Sequence, residues 1–181
     1  MLETTLCYAE HGPYYLMLHR NKKPNDPNAG KWIGIGGKFE EDESPDDCLL
    51  REFREETGCT LTEYRYRGII TFVNTRYPSE RMHLFTATAW EGDLGLALPG
   101  NGSGQPGYDC DEGDLEWVSM DRLNELPLWE GDRLFFRLLA EGEPFFSLKL
   151  CYDGDVLRKA FLNGKPYPQD AHFTKREGSV I

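Results

Sequence analysis

The most constraining feature of the sequence is a helix with well-marked ends, which begins after Ser44 and ends before Gly58. Ser44 followed by Pro45 is a typical helix start, because the hydroxyl caps free backbone N–H groups and proline fits the first helical position. Gly58 supplies the left-handed conformation that commonly ends a helix. The last turns carry three carboxylates that share one face at positions i, i+3 and i+4: Glu52, Glu55 and Glu56.

This acidic cluster is electrostatically unfavourable at the end of a helix. Like charges four residues apart cost about 0.3 kcal/mol, and carboxylates near a helix C-terminus oppose the macrodipole by about 0.3 to 1 kcal/mol each. Arg51 and Arg54 offset part of this cost. One interpretation is a solvated acidic stripe. The other is a platform for a hard divalent cation such as Mg²⁺, which prefers carboxylate oxygens and completes its shell with water and phosphate.

The segment around this helix resembles a known family. Residues 37–59 read GKFEEDESPDDCLLREFREETGC and match the 23-residue Nudix box at every fixed position. The chain is therefore identified as a member of the Nudix hydrolase superfamily. The resemblance implies an α/β protein with the Nudix fold, an α/β/α sandwich around a mixed β-sheet. It also implies metal-dependent hydrolysis of a nucleoside diphosphate linked to another group.

The same resemblance implies roles for individual residues. It assigns catalysis and the binding of Mg²⁺, or of Mn²⁺ as a substitute, to the three box glutamates, Glu52, Glu55 and Glu56. The backbone carbonyl of Gly36 would be a further metal ligand. Structural roles in the box would fall to Gly37, Glu43, Arg51 and Gly58. Metal ions polarise phosphoryl oxygens and lower the pKa of a bound water, which agrees with an acidic cluster at the reaction site.

Beyond the box, the chain to about residue 163 resembles the MutT-related branch, whose members are 8-oxo-dGTP diphosphatases that hydrolyse oxidised purine nucleoside triphosphates. Its segments NAGKWIGIGGKFEEDES and LPLWEGDRLFFRLLAEGEPFF parallel that branch. By this resemblance Glu112 would join the catalytic metal site, Trp129 would stack on the base and Asp132 would contact the purine edge. Substrate-binding positions that are polar in that branch are occupied here by Ile33 and Gly131.

Simpler interpretations of these substrate-site residues stay open. Trp129 also suits a core aromatic position beside the following helix, and Glu112 suits an exposed loop. Lys23, and with it Arg20, would meet phosphates from the loop before KW, although basic residues in polar loops are commonly only solvated. The Gly-rich loop over residues 92–114 either contributes to the site or is a plain connection.

The pattern of elements predicts one domain over residues 1–163 and a polar tail over residues 164–181. Strand pairs are predicted at the N-terminus, after the box helix and in a C-terminal hairpin that turns at DGD. Helices are predicted around MDRLNEL and over EGDRLFFRLLAEG. Because strands and helices interleave, we expect one mixed sheet with helices against its faces.

Charge and cysteine content exclude several classes of function. A formal net charge of −11 repels duplex nucleic acid, whereas a small phosphorylated ligand would bind if metal ions neutralised the local field. Five cysteines without a CxxC pair argue against a disulfide framework or a zinc site. With no apolar membrane span and no signal-peptide pattern, a cytoplasmic location is expected. The oligomeric state stays open.

Three functions are compatible with these features. The leading prediction is a Mg²⁺-dependent pyrophosphohydrolase that converts nucleoside triphosphates, including oxidised purine nucleotides, to monophosphate and pyrophosphate. The second is a Nudix hydrolase acting on a dinucleoside polyphosphate or a nucleotide sugar, which the altered base site favours. The third is a nucleotide-sensing module without catalysis, and the three intact box glutamates argue against it.

Overall fold

A computed structural model describes residues 1–23, 26–97 and 110–169 of the chain. Residues 98–109, at the centre of the Gly-rich loop, therefore lie outside the described residues, as do residues 170–181 of the predicted tail. Within the described part, strands and helices follow one another along the chain as β1 (Leu2–His11), β2 (Tyr14–His19), β3 (Trp32–Ile33), α1 (Pro45–Thr57), β4 (Thr60–Asn74), β5 (Glu80–Glu91), β6 (Asp114–Ser119), α2 (Glu130–Ala140), β7 (Phe146–Asp153), β8 (Val156–Leu162) and β9 (Lys165–Tyr167).

The strands form a mixed sheet in the order β3-β2-β1-β5-β4-β7-β8-β9, and β6 pairs with β2. β1 is parallel to β5 and β4 is parallel to β7, while the other pairs are antiparallel. Side chains of β1 alternate between two faces, as strand geometry requires. Leu6 and Tyr8 pack in the cluster that contains α2, whereas Cys7 and Ala9 pack in the cluster that contains α1. The two helices thus cover opposite faces, and the expected α/β/α sandwich is confirmed.

Helix α1 begins and ends where the sequence predicts. The Ser44 hydroxyl oxygen accepts a hydrogen bond from the Asp47 backbone N–H, and the Asp47 carboxylate accepts one from the Ser44 backbone N–H. This reciprocal pair is a capping box. Gly58 ends the helix in the left-handed conformation, with a φ of 73°. Leu49 and Phe53 are fully buried and hold α1 against the sheet, which fixes the direction of the acidic face.

Two elements before α2 are short, and the second of them differs from the prediction. Regular pairing of β3 stops at Ile33, because the following residues leave β2 and bridge β1 at single positions. The helix predicted around MDRLNEL is only a 3₁₀ turn over Met120–Arg122. Pro127 closes this segment and disfavours the α conformation before it, so the space left is too short for a stable helix. No helix in the described residues is long and apolar enough to cross a membrane.

The predicted tail begins with an ordered strand. β9 pairs with β8 in an antiparallel hairpin, in which Leu162 lies opposite Lys165. The two residues between them, Asn163 and Gly164, both have positive φ, at 50° and 80°. An Asn-Gly pair with this geometry is the preferred two-residue turn of a β-hairpin. The prediction of a polar tail from residue 164 overlooked this signal.

Replacing Ser44 with alanine should lower the free energy of unfolding by about 1 kcal/mol, because the Asp47 N–H loses its acceptor. The melting temperature should fall by about 2 to 4 °C. Ser147, which is exposed on β7, provides the control, and Ser147→Ala should leave the melting temperature nearly unchanged. Equal losses in the two variants would show that the cap does not stabilise α1.

Candidate active site

The loop that precedes α1 lies against β1 through its backbone. The Thr5 N–H donates to the Gly37 carbonyl at 2.8 Å, and further backbone bonds join residues 34–39 to the same strand. Gly36 lies at the closest approach, with a φ of 148°, and a Cβ there would be 2.3 Å from the Thr5 carbonyl oxygen. No larger residue fits this contact. The path of the loop beside α1 is therefore fixed by main-chain contacts.

Glu56 lies beneath this loop and is only 6% exposed. Its Oε2 accepts a hydrogen bond from the Gly36 N–H at 2.9 Å. Burial raises the pKa of Glu56 to about 8, the charge of Glu52 adds to the rise, and the Gly36 hydrogen bond opposes it. The loop and helix thus hold a carboxyl group whose charge a nearby cation would stabilise.

The other two box glutamates lie in different surroundings. Glu52 lines a cleft that is described below, and it packs on Gly37, where a Cβ would lie 2.4 Å from the carboxylate carbon of Glu52. Glu55 has a side chain that is 60% exposed and pairs with Arg51 at 3.4 Å. Among the described residues, no three His, Cys, Asp or Glu side chains are arranged as a ready metal site. The structure therefore brings Glu52 and Glu56 to the loop and leaves Glu55 outside it.

Glu43 and Arg51 join the loop to the helix. Arg51 donates from Nε and Nη2 to the two carboxylate oxygens of Glu43, at 2.6 and 2.8 Å. These hydrogen bonds lower the pKa of Glu43 to about 2. Arg51 also donates to the Lys38 carbonyl at 3.0 Å and to Glu52 at 2.7 Å. The structure brings these two residues together, as their predicted bracing role requires.

A cleft of about 550 Å³ connects this acidic region with the N-terminal end of α2. Its lining includes every residue predicted for substrate binding: Lys23, Ile33, Trp129 and Asp132. Glu52 and Glu112 line it as well, together with Gly36 and Gly37. We refer to the surroundings of Glu52 and Glu112 as the polar part of the cleft. The surroundings of Trp129 and Asp132 are its aromatic part.

In the polar part, Glu112 forms ion pairs with both Arg20 and Lys23. Arg20 also pairs with Asp26 at 2.7 Å, and its side chain is largely buried. The predicted metal ligand and the predicted phosphate-binding cation are thus in direct contact. A ligand that carries phosphate together with a metal ion would give Glu112 and the two basic side chains new partners.

In the aromatic part, the indole of Trp129 is held on several sides. Its ring meets three aromatic rings edge-on at centroid distances of 5.3 to 5.9 Å: Phe72, Tyr77 and Tyr152. Its Nε1 donates to the Asn28 side chain at 2.7 Å, and the Lys31 ammonium lies 4.4 Å from the ring centroid. Trp129 is partly buried and lines the cleft, which suits stacking as well as packing.

Asp132 is the buried carboxyl group of the aromatic part, with 7% exposure, and burial raises its pKa to about 7. Ile33 contributes only apolar surface. Gly131 has no room for a side chain, because a Cβ would lie 2.4 Å from a methyl group of Leu150. Its backbone N–H donates to the Tyr152 hydroxyl at 2.7 Å. The position that is acidic in the related branch is therefore closed by packing.

Four aromatic side chains that line this part of the cleft were not predicted as site residues: Tyr8, Phe72, Tyr77 and Tyr152. They lie on strands or in the loop after β4, where an aromatic residue has the same sequence pattern as a core residue. Asp26 and Asn28, which connect the two parts, were not predicted either. Asp26 pairs with Arg20 and accepts from the Asn28 N–H at 2.9 Å. The high Asn and Asp content of this loop was the available signal.

Comparison with known proteins agrees with this geometry. Residues 4–139 match the family model of the NUDIX domain, and the chain therefore belongs to the Nudix hydrolase family. It is 31% identical over 143 residues to the uncharacterized Nudix hydrolase YvcI of Bacillus subtilis, a match that covers 77% of this chain and 79% of that relative. The expected membership of the superfamily is confirmed.

More specific relatives belong to the MutT-like branch. The chain is 29% identical over 130 residues to the oxidized purine nucleoside triphosphate hydrolase of Mus musculus, with 71% of this chain and 75% of the relative covered. The crystal structure of the mutator MutT protein from Bacillus halodurans superposes with a TM-score of 0.72 at 27% identity. That match covers 92% of this chain and all of the other.

Without metal, Glu56→Gln should stabilise the protein increasingly as pH rises. The pKa of Glu56 is raised from about 4.5 to about 8, so the folded protein keeps a proton that the unfolded chain releases. The free energy of unfolding of the wild type should therefore fall as the pH rises from 5 to 8, by ~3 kcal/mol relative to that of Glu56→Gln. Thermal denaturation with a chelator at several pH values measures this difference.

Glu55→Gln is the matched control, because Glu55 lies on the same helix with an exposed side chain. Its difference in melting temperature from the wild type should stay nearly constant across this pH range. A pH-independent difference for Glu56→Gln as well would contradict the raised pKa.

Proposed function

We propose that the chain is a Mg²⁺-dependent pyrophosphohydrolase that converts nucleoside triphosphates, oxidised purine nucleotides such as 8-oxo-dGTP among them, to monophosphate and pyrophosphate. The observation that carries this proposal is the cleft itself, which joins charged side chains around Glu52 to an aromatic part around Trp129. A nucleotide has the matching halves, a charged phosphate chain and a flat base. The named activity of the mouse relative supports the same substrate class.

The donor set fits a hard divalent cation. Glu52 and Glu56 provide carboxylate oxygens beside the box loop, and burial together with repulsion from Glu52 raises the pKa of Glu56. A cation would relieve this repulsion, and Mg²⁺ prefers oxygen ligands of this kind. The proposed ligands are the Gly36 carbonyl and the side chains of Glu52 and Glu56, together with Glu55 and Glu112. The last two would have to leave their ion pairs with Arg51 and with Arg20 and Lys23 to reach the ion. When bound, Mg²⁺ or its substitute Mn²⁺ polarises phosphoryl oxygens and lowers the pKa of a bound water.

The side chains of the cleft supply the remaining functions. Arg20 and Lys23, which pair with Glu112, would bind phosphate oxygens of the substrate. The glutamates of α1 accept the proton that the attacking water loses, and they titrate as a coupled group. Trp129 stacks on the base and Asp132 contacts its edge. The contact of Arg51 with Glu43 keeps the helix and the loop in register.

A second candidate function keeps the chemistry and changes the substrate. Ile33 offers no hydrogen bond, and packing closes position 131, so the aromatic part has few groups that discriminate between bases. Such a site suits a dinucleoside polyphosphate or a nucleotide sugar as well. A purely sensing module is disfavoured by the complete set of box glutamates. A cytoplasmic location and the lack of duplex nucleic acid binding are further proposals from the composition.

Assay of a nucleotide panel tests the proposed reaction. With Mg²⁺, the protein should release pyrophosphate from dGTP and 8-oxo-dGTP, and a chelator should stop the release. Glu56→Gln should lower kcat by ~10²- to 10⁴-fold, as expected when proton transfer is impaired. Turnover of nucleotide sugars or dinucleoside polyphosphates alone would favour the second candidate. Nucleotide binding with no turnover of any panel member would favour the sensing module.

Trp129→Ala should raise KM for dGTP and for 8-oxo-dGTP by similar factors, because stacking tolerates changes in the base. Loss of a stacking partner worth ~1 to 3 kcal/mol predicts a rise of about 5- to 150-fold. Steady-state kinetics with both nucleotides measures it, and Trp90→Ala, outside the cleft lining, is the control.

The wild type should separate 8-oxo-dGTP from dGTP less sharply than its relatives. A very large preference for the oxidised base that disappears on changing Asp132 alone would contradict this view of the base site.

A further inference from the structure

Two side-chain hydroxyls in the described residues are buried without a hydrogen-bond partner, and both belong to residues of β1 that line the cleft: Thr4 and Tyr8. A buried hydroxyl without a partner costs about 1 to 3 kcal/mol. Native proteins keep few such groups, so each requires an explanation. Because both residues belong to the lining of the cleft, we look to a bound ligand for the missing partner.

The Tyr8 ring is held firmly, so its hydroxyl has a defined position. The ring is fully buried and contacts three other aromatic rings at centroid distances of 4.7 to 5.8 Å: Tyr15, Phe135 and Phe136. Burial raises the pKa of Tyr8 well above its usual range, and the charge of Asp132 raises it further. The nearby Gly34 backbone opposes part of this rise in pKa, but it does not form a hydrogen bond with the hydroxyl. The hydroxyl is therefore a donor that lacks an acceptor.

Asp132 complements this donor. Its charge acts on the Tyr8 hydroxyl, and both residues line the aromatic part of the cleft. Above its pKa of about 7, Asp132 is ionised and only accepts hydrogen bonds, whereas the Tyr8 hydroxyl has a proton to donate. Together they match a ligand edge that carries an acceptor beside a donor. The 6-oxo group and the N1–H of a guanine-type base form such an edge.

We propose that Tyr8 is a specificity-determining residue, whose hydroxyl donates a hydrogen bond to the 6-oxo group of a guanine-type base while Asp132 accepts from the adjacent N–H. This inference rests on the proposed nucleotide substrate and narrows it to 6-oxopurines. In this proposal, Tyr8 on the sheet makes a polar contact to the base of the kind that Ile33 and Gly131 cannot make. The base then lies on Trp129 with its edge towards β1.

Tyr8→Phe tests the proposal, because it removes one oxygen atom and keeps the ring. In the ligand-free protein, the melting temperature should stay unchanged or rise, since an unpaired hydroxyl is lost. Binding of dGMP, measured by calorimetry, should weaken by about 3- to 10-fold. Binding of the 2-aminopurine deoxynucleoside monophosphate, which lacks the 6-oxo group, should not change. The values of kcat/KM for the two triphosphates should follow the same pattern.

Tyr15→Phe is the matched control, because Tyr15 contacts the Tyr8 ring but does not line the cleft. It should leave the preference for dGMP over the 2-aminopurine nucleotide intact. Equal effects of Tyr8→Phe on both nucleotides, no effect on either, or a clear loss of ligand-free stability would overturn the proposal.

The binding and turnover measurements separate this inference from the proposed function. Binding of dGMP that depends on Tyr8, in a protein that hydrolyses no triphosphate, would support the inference and overturn the proposed reaction. If the protein hydrolyses dGTP and Tyr8→Phe leaves its preference for dGTP over the 2-aminopurine nucleotide unchanged, the proposed reaction would be supported and the inference overturned. A wild type that neither binds dGMP nor hydrolyses dGTP would overturn both.

Discussion

The site depends on one backbone contact, the close approach of Gly36 to β1. At this point the main chain of the loop lies so near the Thr5 carbonyl that no side chain fits between them. The same residue turns its N–H towards Glu56, which is buried on α1. Because α1 is fixed by its capping box and its buried face, the loop, the strand and the acidic helix form one rigid unit. A ligand of the carboxylates therefore meets a loop and a helix whose relative position is already fixed.

Glu112 is neutralised by its ion pairs with Arg20 and Lys23, whereas the charge of Glu56, which is buried beside Glu52, costs free energy unless a cation compensates it. Sites that bind metal and phosphate commonly hold such strained electrostatics, because the ligand relieves them. The ion pair between Arg51 and Glu43 has a different character, since it joins the loop to the helix in any state of the cleft. Within this short segment, Glu43 is thus assigned to stability, whereas Glu52 and Glu56 are assigned to ligand binding.

Local signals predicted the parts of the fold that local interactions determine. The ends of α1 followed from Ser44 and Gly58, and the fixed spacing of the box indicated the family. Contacts between distant segments were beyond such signals. The ion pair of Glu112 with Arg20 joins residues 92 positions apart, and the closure of position 131 on α2 depends on Leu150 in β7. The short hairpin at Asn163 was predictable in principle, because its turn residues have a well-known preference.

The aromatic part shows why the substrate was the hardest feature to predict. Resemblance assigned part of the reading of the base to two positions that are polar in the related branch, and there this chain has Ile33 and Gly131, the latter enclosed by Leu150 and Tyr152. The polar atoms that are available belong to Asp132, at the start of α2, and to Tyr8, in the centre of the sheet. A tyrosine on the inner face of a strand is indistinguishable from a core residue in the sequence. The proposed second use of Tyr8 rests on its unpaired hydroxyl and its place in the cleft lining. Under this proposal, base recognition and the hydrophobic core share the same side chains, which restricts how freely either one can change.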